Sequence, residues 1–243
     1  MKLADNKILI TGGASGIGLG LAEQFVKEGN RVIVCGRRDD VLAQEAARLP
    51  GLITRRCDLS IADQRVELHQ WVAAEHSDLN VLVNNAGIQQ WTSPLDKDFY
   101  PRAEAEIAIN IEAPIHLTSL FLNLPALTTI LNVTSGLAFV PLTKVPVYAA
   151  SKAFFHSFTV SLRQLVKARG IEIIEVIPPA LNTDLGGKGL HDFAPPVADF
   201  IASIFAQLRE QKTELTFGFT DALCRAGQDV FQPVFARMNN PGT

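Results

Sequence analysis

The sequence is short of cysteine, of charge and of long apolar runs, and each shortage closes off a class of protein. Three cysteines, Cys35, Cys57 and Cys224, form an odd and scattered set. They cannot build a disulfide framework, and a reducing, cytoplasmic setting is expected. The five histidines show no metal-ligand spacing, so no metal site is expected. Charged residues are 19% of the chain and leave a net charge of −3 without any basic run, so nucleic acid is not an expected partner. No uninterrupted apolar stretch is long enough to span a bilayer. The start, Met1 to Lys7, runs straight into an apolar strand without a signal-cleavage pattern. No membrane association is expected.

What the chain does have is a regular alternation of short β-rich runs and longer helical patterns. Strands are predicted near 7–11, 31–35, 52–56, 80–84, 129–134, 171–177 and 214–217, and helices near 16–28, 39–49, 61–76, 101–123, 147–169, 196–211 and 221–237. Runs such as Val32-Ile33-Val34-Cys35 and Val81-Leu82-Val83 are apolar throughout rather than alternating. That pattern suits a parallel sheet covered on both faces. Strand–helix alternation with right-handed crossovers gives an α/β, doubly wound, Rossmann-type fold with a seven-stranded parallel sheet. No linker, low-complexity segment or repeat divides the 243 residues, so a single domain over 1–243 is expected. Ligands should bind beyond the carboxyl ends of the strands.

The first predicted strand ends in Thr11-Gly12-Gly13-Ala14-Ser15-Gly16-Ile17-Gly18, and a helix follows. Glycines let a backbone turn tightly and approach a pyrophosphate, while the helix N-terminus offers unpaired N–H groups to its charge. The spacing, Gly-xxx-Gly-x-Gly, differs from the commoner dinucleotide fingerprint. NAD-binding folds usually carry an acid at the end of the second strand. Here the chain reads Cys35-Gly36-Arg37-Arg38 before Asp39-Asp40. Two cations just ahead of a helix N-terminus oppose its dipole, so local stability does not ask for them. A 2′-phosphate would use them through charge-assisted hydrogen bonds. NADP is therefore expected over NAD, and Asp39 is read as a helix N-cap rather than a ribose ligand.

Farther along, Tyr148 and Lys152 stand four residues apart in a predicted helix, on one face and one turn apart. A free phenol has a pKa of about 10, and a fixed ammonium beside it should lower that value. This is what a general acid/base acting on a carbonyl–alcohol pair requires.

Taken with Asp58-Leu59 after the third strand, Asn84-Asn85-Ala86-Gly87 after the fourth, Asn110 and Ser135, these motifs make the chain resemble the single-domain short-chain dehydrogenase/reductase family over nearly its whole length. The resemblance implies that Gly12, Ser15, Gly16, Ile17 and Gly18 cradle the cofactor phosphates and that Asp58 holds the adenine edge with Leu59 packed beside it. It implies that Asn85, Ala86 and Gly87 line the adenosine-ribose side. Lys152 would grip the nicotinamide ribose, Ser135 would bond the substrate oxygen, and Asn110 would hold a water leading protons towards Lys152. Pro178, Leu181 and Thr183 occupy the family's Pro-Gly-x-x-x-Thr pattern and would contact the carboxamide and phosphates. Pro179 stands where that pattern has glycine, which fixes φ and removes an N–H. The Pro-Pro-Ala-x-Asn-Thr-Asp-Leu run, with Met238-Asn239, looks similar to the DltE-like oxidoreductases within this family. A homodimer or homotetramer through the fourth and fifth long helices is expected by the same resemblance.

The substrate should be a small carbonyl or alcohol compound enclosed by 88–98, 136–145 and 184–196, with Trp91, Leu137, Phe139, Val140 and Leu142 as apolar walls. The Gly186-Gly187-Lys188-Gly189 segment reads as a flap. His191 is read as a surface residue, and Cys224 lacks a base partner for a nucleophilic role. Two other functions are open to the architecture. Halohydrin elimination resembles Tyr-x-x-x-Arg sites with a rebuilt turn, and a redox-sensing regulator would tolerate loss of the tyrosine–lysine pair. The intact turn and pair favour neither.

Overall fold

Strands that are apolar on both sides need cover on both sides, and that demand organises the molecule. The computed structural model describes residues 1–225 and 228–239; residues 226–227 of the last predicted helix lie outside the described residues. Seven strands form one sheet in the order β3-β2-β1-β4-β5-β6-β7. They are β1 (Lys7–Thr11), β2 (Arg31–Gly36), β3 (Ile53–Arg56), β4 (Val81–Asn84), β5 (Thr129–Val133), β6 (Glu172–Ile177) and β7 (Glu214–Thr216), and every pairing is parallel.

Alternation along each strand sorts side chains between two cores. Ile8, Ile10, Val34, Val83 and Val176 face α1 (Gly16–Lys27) and α7 (Val197–Arg209), where Phe25 and Phe205 meet edge to face at 4.8 Å. Leu9, Ile33, Leu82 and Ile130 face the opposite layer, built from α3 (Ala62–Glu75), α5 (Ala113–Phe121) and α6 (Pro146–Leu165). A buried amide chain stitches that second layer. Asn84 Nδ2 donates to Asn132 Oδ1 at 2.9 Å, and Asn132 Nδ2 donates to Thr159 Oγ1 at 2.9 Å, tying β4 and β5 to α6. Buried amides are tolerated because these partners are present.

The predicted helix 101–123 is one rod with an irregular middle. It comprises α4 (Phe99–Ile107), a π turn over Ala108–Glu112, and α5. π turns occur mostly as single interruptions, often at functional positions, and Asn110 lies at the centre of this one. The remaining helices are α2 (Asp39–Arg48), α8 (Thr220–Arg225) and α9 (Gln228–Asn239). Asp39 is the first residue of α2 rather than its N-cap. Arg38 holds the cap position without a side-chain cap, and Asp39 Oδ2 lies 3.5 Å from Arg56 Nε. Among the described residues no helix is long and apolar enough to cross a membrane.

Candidate active site

The sheet order reverses direction between β1 and β4, so the chain ends of those strands splay and leave a crevice. A groove of about 830 Å³ occupies that place. On one side it is walled by the turn between β1 and α1. Gly12 takes φ +63°, and a Cβ there would sit 3.0 Å from Ala86 Cα. A Cβ on Gly18 would lie 2.4 Å from both Asn85 Nδ2 and Gly12 O, closer than atoms can approach. Thr11 Oγ1 accepts the N–H groups of Asn85 and Ala86 at 3.0 Å each, and Asn85 Nδ2 donates to Thr11 O at 2.9 Å. The amide of Asn85 thus shapes the turn as well as lining the groove. Helix α1 begins here with no side-chain cap on Ser15 and no acid in its first turn. Its first N–H groups are left for an anion.

Gly12, Ser15, Gly16, Ile17 and Gly18 line the groove, as do Arg37, Arg38 and Leu59, and Ala86 and Gly87 beside Asn85. Both arginines are exposed, and neither is in an ion pair among the described residues. Tyr148, Lys152 and Pro178 line it farther along, and Thr183 lies beside the turn, where a Cβ on Gly16 would meet its Cγ2 at 3.5 Å. The phenol and the ammonium are therefore on the same groove as the glycine turn. The glycine turn, the uncapped start of α1 and the two arginines thus share one groove, and their donors and charges suit an anionic, phosphate-bearing group.

Four expected site residues do not line it. Asp58 has Oδ1 committed to the Ser60 N–H at 2.9 Å and the Ser60 hydroxyl at 2.7 Å. Burial works to raise its pKa, but those two bonds and the charges of Arg37 and Arg56 outweigh it and hold the carboxyl below its usual range. Those bonds shape the turn after β3. Leu181 is 3% exposed and belongs to the core under α7, so its side chain cannot touch a carboxamide. The sequence shows an apolar residue in a binding motif; only the fold shows that it faces inward. Ser135 is 7% exposed, and its hydroxyl accepts the Leu137 N–H at 3.1 Å. Asn110 clamps Ile88 from both sides, accepting its N–H at 2.9 Å and donating to its carbonyl at 2.8 Å, and Nδ2 also reaches Ser151 Oγ at 3.2 Å. Asn110 Oδ1 and Lys152 Nζ nevertheless face a common space. A Cβ on Gly87 would meet them at 3.4 and 3.6 Å.

The spacing of Tyr148 and Lys152 predicts a phenol made labile by the ammonium. The structure shows the opposite balance. Lys152 Nζ donates to Val133 O at 2.9 Å and lies 5.6 Å from the Tyr148 ring centre. Burial pulls the Lys152 pKa down to about 8. Burial also pushes Tyr148 far above the ordinary phenol value; the Ser135 hydroxyl lowers it and the Glu106 charge raises it further. Desolvation is thus the main influence on both groups.

The anticipated apolar walls are also placed differently. Val140 is buried at 2% and Trp91 is 41% exposed, and neither lines the groove. The loops carrying them are fastened together, with Thr92 N–H donating to Lys144 O at 3.2 Å and Lys144 Nζ 5.3 Å above the Trp91 ring. The groove instead reaches Gln89 and Gly186-Gly187. Gly186 and Gly187, at φ +80° and +151°, give the flap conformations that other residues rarely adopt. His191 is half-buried, with both ring nitrogens unpartnered among the described residues. Cys224 is pushed up to about 12 by burial and then by nearby carboxylates, which keeps it a thiol.

Sequence reasoning missed two groups. Glu106 is 1% exposed in the apolar stripe of α4, one helical turn before Asn110. His156, one turn beyond Lys152, bonds the fully buried Glu175 at 2.9 Å, and Thr134 Oγ1 donates to the same carboxylate at 2.8 Å. An acid at helical spacing from Asn110 was the available signal for the first.

Comparison with known proteins agrees with this geometry. The family profile described as short chain dehydrogenase matches residues 6–192. An uncharacterized oxidoreductase, DltE of Bacillus subtilis (strain 168), is 39% identical, covering 98% of this chain and 98% of its own. Among solved structures, a short chain dehydrogenase from Burkholderia cenocepacia J2315 in complex with NADP superposes with a TM-score of 0.85. It is 22% identical over 98% of this chain and 99% of that one. A metagenomic short-chain oxidoreductase in complex with NADP has a TM-score of 0.74 and 26% identity, covering 89% and 98%. The chain belongs to the short-chain dehydrogenase family and is an oxidoreductase of that family.

Proposed function

We propose that the protein interconverts a small carbonyl compound and its alcohol with NADP(H), Tyr148 acting as general acid and base. The observation that carries this reading is the shared groove. Tyr148 and Lys152 open onto the same crevice as the glycine turn and the two exposed arginines. NADPH, when bound, would supply the hydride. The N–H groups of the turn and α1 would hold the pyrophosphate, and Arg37 and Arg38 the 2′-phosphate. NADP in two similar structures supports this preference.

The residues of the chain supply the proton chemistry. In reduction, Tyr148 gives its proton to the substrate oxygen, and its high pKa suits an acid that stays loaded until charge develops. Ser135 would orient that oxygen, and Lys152, mostly ammonium at neutral pH, would stabilise the negative charge left on the phenol. Asn110 holds Ile88, and so Gly87, against α6, beside the space through which Lys152 would exchange protons with water.

Pairing of two copies along the α4–α5 rod and α6 is part of this proposal. Ile107, Phe154, Val160 and Leu165 are 39%, 42%, 45% and 76% exposed there. A reducing, cytoplasmic setting fits the buried thiols Cys35 and Cys57.

Tyr148→Phe tests the reading. Carbonyl reduction, followed by loss of NADPH absorbance over a panel of ketones and aldehydes, should fall by at least about a hundredfold, with NADPH affinity nearly unchanged. A variant retaining a few tenths of the rate would remove Tyr148 from the chemistry.

A further inference from the structure

The segment after β4 is fastened residue by residue to the α4–α5 rod, with one exception. Asn110 holds Ile88 by its N–H at 2.9 Å and by its carbonyl at 2.8 Å. Glu106 accepts the Gln90 N–H at 2.6 Å. Gln90 Nε2 donates to Arg102 O at 2.9 Å, while Arg102 donates to Gln90 Oε1 and to Trp91 O at 3.0 Å each. The exception is Gln89, which is 8% exposed and lines the groove. Its Oε1 is sealed from solvent and meets no donor among the described residues. Leaving a buried acceptor unpaired is costly, and native chains seldom keep one without a use.

A loose loop does not explain the orphan, because the residues on both sides of Gln89 are tied down. The bonds leave a fixed backbone that presents one free amide to the groove, the arrangement a binding residue needs. The flap covers that amide. A Cβ on Gly186 would stand 3.1 Å from Gln89 Oε1 and 3.3 Å from Gln89 O, so a glycine at φ +80° is what lets the flap lie so close. The flap supplies no donor in return, and the Gly187 N–H is bonded to Asp184 O at 3.1 Å. His191, on the same segment, is in a like state, with both ring nitrogens sealed and unpartnered among the described residues. The two segments thus hold hydrogen-bonding capacity that the protein itself does not use.

We propose that Gln89 is a specificity-determining residue that pairs with a hydroxyl on the substrate, which makes the carbonyl compound a hydroxyketone or hydroxyaldehyde rather than a plain alkyl one. This rests on the carbonyl–alcohol reading of the groove. A hydroxyl both donates and accepts, so it satisfies the amide whichever of its two ends faces the ligand. A carboxylate substituent suits the place less, because Asp184 lines the groove beside the flap with charge of the same sign. An alkyl chain would leave the acceptor orphaned under the flap, and a site built to bond a hydroxyl rejects the analogue that lacks it.

Hydroxyacetone, 4-hydroxy-2-butanone and 5-hydroxy-2-pentanone carry a hydroxyl at increasing distance from the carbonyl. In 2-butanone, 2-pentanone and 2-hexanone a methyl group replaces it. With NADPH, kcat/KM should favour the hydroxyketone by about tenfold or more in at least one pair. Gln89→Met, of similar length but without the amide, should bring that ratio close to one. A ratio untouched by the substitution would overturn the proposal, as would the lack of any preference in all the pairs. Damage to the loop alone slows both members of a pair alike and leaves the ratio where it was. A second measurement needs neither turnover nor a Gln89 variant. In Tyr148→Phe with NADP⁺ bound, the side-chain ¹H–¹⁵N signals of Gln89 should move on adding at least one hydroxyketone and stay in place with its alkyl counterpart. Signals that move for neither, or equally for both, sink the assignment, whatever rate Tyr148→Phe retains.

Discussion

The two ends of the groove solve opposite problems. At the glycine-turn end the charges are exposed, with Arg37 and Arg38 in no ion pair among the described residues and the first turn of α1 uncapped. At the catalytic end the polar groups are buried and already engaged with the protein. Ser135 is held by Leu137, Lys152 by Val133, Asn110 by Ile88 and Glu175 by His156 and Thr134. Exposed charge binds a highly charged ligand at little desolvation cost. Buried groups hold geometry and let one charge act strongly on another. In the function proposed above, that difference separates binding from chemistry within a single crevice.

Three changes would sharpen that division, beginning with the most severe. Gly18→Val places carbon atoms where Gly12 O and Asn85 Nδ2 already stand, 2.4 Å from the Cβ position. It should abolish measurable NADPH binding and lower the melting temperature, with a cost of about 1–3 kcal/mol or more from overpacking. Calorimetric titration together with a thermal melt reads both effects. Arg37→Ala should weaken NADPH binding by about 1.5–3 kcal/mol, the range of a hydrogen bond to a charged group, and leave NADH binding unchanged. Equal loss for both cofactors would take Arg37 away from the 2′-phosphate.

The smallest effect belongs to the buried pair at the catalytic end. The Glu175 bond raises the His156 pKa above its ordinary value, against burial. A raised histidine pKa stabilises the fold fully below the unfolded value of about 6.5, and that contribution fades as pH rises through the folded pKa. Denaturant unfolding should therefore lose stability as pH rises above about 6.5. The double variant His156→Gln/Glu175→Gln should lack that slope.

The sheet and the glycine turn were legible because their determinants are local. Val32 to Cys35 is apolar on both sides, and Gly12 and Gly18 are demanded by backbone approach within a few residues. The catalytic pair was legible as a placement but not as an electrostatic balance. Helical spacing put Tyr148 and Lys152 on one face. Desolvation, which sets the direction of both shifts, depends on α4, β5 and the loops that cover them. Leu181 looked like a ligand contact because the motif around it is one, while the strand before it turns its side chain into the core. Glu106 read as an ordinary acid on an amphipathic helix. Only the packing of α4 against α6 makes it a buried, unpaired group.

The widened turn at Ala108–Glu112 sets the register between the two halves of the rod. Such a turn accommodates one residue more than regular helix geometry. Removing that residue would wind the rod back to 3.6 per turn and swing everything ahead of it by about 100°. Asn110 would keep its neighbours, while Glu106 would rotate out of reach of α6. The one extra residue thus decides which side chains ahead of Asn110 face α6, and its deletion would change that set without dismantling the sheet.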